Sequence, residues 1–156
     1  MSARAPILVD RALLPTAEAP IGNRLMRRFA EMNRLDRPLV LLAERPDRWT
    51  PTRNRVDRAL EGQSRLEADI QRGGGALDAV LYLDFGLFSR QRRRHDALSD
   101  LADRYGVESQ QLIALVASAR MADALTEAVG VVRRLGDEAS LAVELRSLLR
   151  EGGGSG

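Results

Sequence analysis

Cysteine is absent from the chain of 156 residues. Disulfides, thiolate-bound zinc and thiol nucleophiles are therefore excluded together, and an oxidising compartment is not needed. Lysine is absent too: all 24 basic residues are arginine. No Schiff-base lysine and no phosphate-loop lysine are available. Histidine occurs once, at His95, and reads more readily as a surface residue than as a base. No apolar run approaches the roughly 20 residues of a membrane span. No apolar signal core follows the charged N-terminal start, so cytoplasmic residence is expected.

What is present is an ordinary globular composition, with 44% hydrophobic and 29% charged residues. The length suits one domain with a single core. A net charge of only +2 is a weak argument for a nucleic-acid partner.

Short apolar runs alternate with amphipathic stretches. Ile7 to Val9 reads as a buried strand with Asp10 at its carboxyl end. Leu39 to Ala43, Asp78 to Asp84, Leu112 to Val116 and Gly130 to Val132 read as four more. Between them, Ile21, Leu25, Phe29 and Met32 mark a helix over Gly22 to Asn33. Thr50-Pro51 reads as the start of a long helix buried through Val56, Ala59, Leu60, Gln63, Leu66 and Ile70. It ends at Gly73-Gly74-Gly75. Ser89 starts a helix that buries Leu98, Leu101, Ala102 and Tyr105 and stops at Gly106. Ser118 caps a short helix with Met121, Leu125 and Ala128 inward. Leu141, Leu145, Leu148 and Leu149 mark a last helix over Ala139 to Arg150. The β-α alternation predicts an α/β fold, a doubly wound parallel sheet covered by helices on both faces. Residues 1–150 form one domain in this reading, and 151–156 a flexible Gly/Ser tail. Ligands of such sheets lie beyond the carboxyl ends of the strands, which is where Asp10 stands. The alternative role for Asp10 is local: acidic residues often end a strand by capping the following turn.

The run Val116-Ala117-Ser118-Ala119-Arg120-Met121-Ala122-Asp123-Ala124-Leu125-Thr126-Glu127-Ala128-Val129-Gly130 has a strand, loop, helix and glycine at a familiar spacing. With the element order from Pro6 to about Gly136, it resembles the haloacid dehalogenase-like (HAD) phosphatase superfamily. The nearest branch is the small-cap one of heptose bisphosphate and histidinol phosphate phosphatases. The resemblance implies five strands in the order 3-2-1-4-5, a minimal cap, and Asp10 at the position of the phosphorus-attacking carboxylate.

The remaining chemical positions differ from that pattern. The acid that protonates the leaving oxygen is replaced by Ala12. The hydroxyl that ends strand two is replaced by Ala43, and Glu44 behind it would repel a phosphate. The charge-neutralising lysine aligns with Arg92, a planar fork in place of a point charge. The acidic pair that holds magnesium aligns with Ser118 and Ala122. Asp123 comes one residue later, about 100° further round the helix. The branch's zinc loop is missing.

The function read from this pattern is a HAD-like pseudophosphatase that binds a protein partner or a phosphorylated ligand and needs no cofactor. Arg45, Arg92, Arg93, Arg94 and Ser118 are the candidate anion-binding residues. The alternative is a magnesium-dependent phosphatase with Asp10 as nucleophile and Asp10 and Asp123 as metal ligands. A second alternative is a nucleic-acid accessory protein acting through its arginines. Trp49, beside Arg45, Arg48 and Arg53, is a candidate cover for the crevice or a packing residue of the long helix.

Overall fold

The apolar runs of four to six residues form the five strands of one parallel sheet, in the order β3-β2-β1-β4-β5. A computed structural model describes residues 5–15, 19–44, 53–83 and 91–154, with side chains throughout except in 53–62, 91–93 and 152–154. The strands are β1 (Ile7–Asp10), β2 (Leu39–Glu44), β3 (Ala79–Leu83), β4 (Ile113–Val116) and β5 (Val131–Arg134). The helices are α1 (Asn23–Arg34), α2 (Arg53–Arg72), α3 (Gln91–Arg104), α4 (Ala119–Leu125) and α5 (Glu138–Gly154). The expected strand order is thus present, with the Asp10 strand in the middle.

β1 pairs with β2 from Ile7↔Leu39 to Asp10↔Leu42, and with β4 from Ile7↔Ile113 to Val9↔Leu115. Its side chains alternate between faces. Ile7 and Val9 pack with Leu25 and Phe29 of α1, Ile70 of α2 and Leu145 of α5. Leu8 packs with Leu98 of α3 and Met121 and Leu125 of α4. Because both faces are covered, the strand is apolar at every position but the last, and all three residues are fully buried. The edge strand β5 is mostly exposed, and it carries polar residues accordingly. Its Arg133 pairs with Glu144 of α5 at 2.6 Å.

Several boundaries differ from the pattern-based expectation. A 3-10 turn, Arg11–Leu13, directly follows β1, with Asp10 as its cap. Leu13 and Leu14 are buried, which draws this turn onto the sheet. β5 extends to Arg134, since backbone pairing with β4 ignores side-chain polarity. α5 runs past Arg150 to Gly154. A formed helix gains one hydrogen bond for each residue it adds, so the first glycines of the expected tail continue it. Thr50, Pro51, Phe85 to Ser89, Trp49 and Arg48 lie outside the described residues.

Three helices end in the same way. Gly75, Val107 and Arg37 each donate an N–H to the carbonyl five residues earlier, in α2, α3 and α1 respectively. The residue before each has a positive φ: Gly74 at 95°, Gly106 at 68° and Asp36 at 54°. This is the Schellman ending, which favours glycine because a Cβ is strained there. Asp36 adopts it without that advantage.

Gly130 is required for a different reason. Its N–H and that of Val131 both donate to the carbonyl of Leu112, drawing the entry to β5 against the segment before β4. A Cβ at Gly130 would lie 1.7 Å from the Gln110 carbonyl oxygen. Backbone meets backbone, so no side-chain rotation relieves the clash. We expect Gly130→Ala to destabilise the fold by about 3 kcal/mol, read as a lower urea midpoint with an unchanged slope.

The start of α5 is held electrostatically. Asp137 accepts the N–H of Ser140 at 2.8 Å. That backbone hydrogen bond, and after it the Ser140 hydroxyl, hold the Asp137 carboxyl below its ordinary value of 3.8. The stabilisation is complete above that ordinary value and is lost as pH falls through the lowered one. Asp137→Asn should therefore show a shallower fall in melting temperature below about pH 3.8 than the wild type. A fall of equal steepness would show that the cap contributes nothing to acid sensitivity.

Candidate functional site

The sheet has a topological switch point beside β1. The chain leaves β1 toward β2 on one side, and β4 lies on the other. Strand ends diverge at such a point and open a crevice. Asp10 stands there, the only buried charged or polar residue among the described residues, with 4% of its surface exposed.

Both oxygens of its carboxylate are engaged. Oδ1 accepts the N–H of Ala12 at 3.0 Å, so Asp10 caps the turn that follows β1. Oδ2 accepts the N–H of Ala117 at 2.9 Å, across the switch point at the exit of β4. The side chain thus joins the ends of two neighbouring strands. The capping role read from sequence is present, and a second bond to the other strand accompanies it.

Among the described residues, the positions expected to surround Asp10 are poor in reactive groups. Ala12 is exposed and Ala43, near the end of β2, is buried. Ser118 caps α4: its Oγ accepts the N–H of Met121 at 3.1 Å. Ala122 packs against the apolar cluster beneath α3 and α4. Asp123 is exposed, one position further round α4. Glu44 and Arg120, which end β2 and open α4, face each other at 3.7 Å with more than half of each side chain exposed. Sequence reasoning missed this pair. The available signal was opposite charges at the exits of the two strands that flank β1.

The candidate anion-binding arginines are only partly brought into view. Arg45 lies outside the described residues. Arg92 and Arg93 belong to the first turn of α3, and their side chains lie outside the described set. Arg94 and His95 are half-buried, and Nε2 of His95 is enclosed without a hydrogen-bond partner among the described residues. Just past the far end of α3, the Tyr105 hydroxyl donates to Asp78, which precedes β3. Burial first, and the Asp78 carboxylate after it, raise the Tyr105 pKa above its usual range.

Magnesium, implied by the resemblance, finds a poor donor set here. It takes oxygen ligands in a near-octahedral arrangement and relies on carboxylates to offset its charge. The described donors at the strand ends are the Asp10 carboxylate, each oxygen already accepting one N–H group, and the Ser118 hydroxyl, committed to a helix cap, while Asp123 is exposed one position further round α4 and Glu44 faces Arg120. No three His, Asp or Glu side chains gather to hold a metal among the described residues. The described residues do not fit the ion.

The two N–H donors make Asp10 sensitive to substitution. Asp10→Ala removes the acceptor of the half-buried Ala117 N–H and of the more exposed Ala12 N–H, at about 1–3 kcal/mol, most of it from Ala117. In Asp10→Asn one oxygen remains to accept, while the amide NH₂ faces the other N–H, so a loss within the same range is expected. Chemical denaturation measures both. Full stability in either variant would remove the structural role.

No family model matches the chain, and no curated protein matches it. Solved structures do. A D,D-heptose 1,7-bisphosphate phosphatase from B. bronchiseptica, crystallised with magnesium and phosphate, superposes with a TM-score of 0.67 at 16% identity, covering 92% of this chain and 99% of that one. The corresponding phosphatase from Burkholderia thailandensis gives 0.60 at 13% identity, over 92% and 99%. A protein of Mesorhizobium loti assigned as a HAD-like phosphatase gives 0.63 at 13% identity, over 96% and 88%. At these identities the likeness carries the fold: a Rossmann-like α/β sheet in the order 3-2-1-4-5, as in HAD-like phosphatases.

Proposed function

We propose that this chain is a HAD-like pseudophosphatase, a phosphatase-type fold that acts by binding and not by turnover. The observation that carries this reading is the state of Asp10. A nucleophilic carboxylate needs an oxygen presented to phosphorus and positive charge to offset the approaching phosphate. Here the carboxylate is buried, and each oxygen accepts a backbone N–H. Its sequence neighbours in the expected roles are Ala12, Ala43, Ser118 and Ala122, which supply no acid and no second carboxylate. Glu44 adds negative charge at the mouth, only partly offset by Arg120 at 3.7 Å.

The kinetic consequence is large but not additive. Loss of general acid catalysis typically removes about 10²–10⁴ in rate. Loss of one preorganised donor removes about 10²–10³. Groups that act as a unit do not multiply, so the expectation is that most of the catalytic advantage is gone. The binding role in this reading is toward a protein partner or a phosphorylated ligand, with arginines at the crevice supplying the positive charge.

The competing reading is a magnesium-dependent phosphatase that uses Asp10 as its nucleophile. Its ground is the position of Asp10 at the carboxyl end of the central strand of a phosphatase-type sheet. One experiment separates the two. Wild type and Asp10→Asn are assayed with magnesium against a panel of phosphorylated sugars, nucleotides and a chromogenic phosphate monoester, below the melting temperature of both. We expect no turnover above background from either protein. Robust turnover by the wild type that Asp10→Asn abolishes would overturn the proposal.

A further inference from the structure

Away from the crevice, α1 and α5 lie side by side on one face of the sheet and leave a groove of about 420 Å³ between them. Its two walls are written in helical spacing. α5 supplies Ala139, Ala142, Val143 and Arg146, at positions i, i+3, i+4 and i+7, which share one side of a helix. α1 supplies Arg24, Arg27 and Arg28, at i, i+3 and i+4. One wall is therefore short, apolar and basic at its end, and the other is basic throughout.

Two features of this groove lack a structural explanation. Val143 is 68% exposed on the outer side of amphipathic α5, the most exposed large hydrophobic residue among the described ones. Arg24, Arg27 and Arg146 have no carboxylate partner among the described residues, while Arg28 alone is paired, with Glu31 at 2.9 Å. Like charges gathered at this density repel one another. The fold gains nothing from placing them around an apolar floor.

We propose that this groove is a docking site for an acidic amphipathic helix of a protein partner. The apolar face of such a helix covers the exposed Val143 and Ala139, and the carboxylates flanking it meet Arg24, Arg27 and Arg146. Helix-in-groove recognition uses this combination of an apolar stripe and complementary charge. The apolar floor decides against the other anionic partners. A nucleic-acid backbone offers phosphates to the arginines but nothing to Val143. A bilayer rewards a broad apolar face, and here Val143 and Ala139 are the exposed apolar residues of the groove. The site lies on a helical face and not at the strand ends, so this inference goes beyond the reading of Asp10 and stands or falls separately from it.

The test uses a fluorescein-labelled synthetic peptide of about four helical turns, with leucine along one face and glutamate on both flanks, followed by anisotropy. A scrambled peptide of equal charge is the control. Arg24→Glu combined with Arg27→Glu, and separately Val143→Asp, are expected to weaken binding by about tenfold or more each. Scrambling is expected to do the same, and added salt should weaken the wild-type complex. All substituted residues are exposed, and unchanged thermal melting confirms that the variants fold. Failure of the wild type to bind the helical peptide overturns the proposal. So does equal affinity in the variants or for the scrambled peptide. Duplex DNA, or vesicles of phosphatidylcholine with phosphatidylserine, are offered in parallel. Tighter binding of either through the same arginines, indifferent to Val143→Asp, would reassign the groove and overturn the peptide proposal. The phosphoester panel reads the Asp10 hypothesis independently, so the failure of one is distinguishable from the failure of the other.

Discussion

The Asp10 carboxylate is the bond on which the middle of the sheet depends. At the switch point β1 and β4 run parallel and then separate. Past that point neither strand can supply carbonyls for the other's N–H groups, and buried N–H groups without partners are costly. One carboxylate with two oxygens resolves this. It accepts from the turn that leaves β1 and from the residue that leaves β4. The turn places Leu13 and Leu14 on the core, and the β4 exit leads into the Ser118 cap of α4. The geometry of both strand exits follows from this side chain.

A reactive carboxylate and a structural one make opposite demands on their surroundings. Reactivity asks for an oxygen free to attack and for charge to balance the substrate. A structural carboxylate asks for saturation by donors. Asp10 has one backbone donor on each oxygen, as a structural carboxylate would. The family-like position and the unlike chemistry are thus compatible: the same site that would suit a nucleophile also suits a bridge between strands.

Arginine as the sole basic residue shapes the rest of the surface. Arg133 anchors the edge strand to α5 through Glu144, and Arg28 pairs with Glu31 along α1. Arg120 spans the crevice mouth toward Glu44. Surface ion pairs are individually worth about 0.2–1 kcal/mol, small beside the burial of Ile7, Val9, Phe29 and Leu145. Charge here distributes specificity over a scaffold that apolar packing has already stabilised.

The sequence by itself determined the class of fold, because each period was legible locally. Continuous apolar runs marked strands covered on both faces, and Leu25, Phe29 and Met32 or Leu141, Leu145 and Leu148 marked helices with one buried stripe. It also determined that Asp10 ends the first strand and that Ser118 caps α4, since both follow from neighbours a few residues away. Contacts between distant segments were decided only by the tertiary structure. Ala117 is 107 residues from Asp10, and nothing local predicts that its N–H fills the second oxygen. The Glu44–Arg120 pair, the Gly130 approach to Gln110 and the basic groove between α1 and α5 are of the same kind. Side-chain pattern sets which face of an element is buried, whereas the packing of elements sets which exposed groups come to face one another.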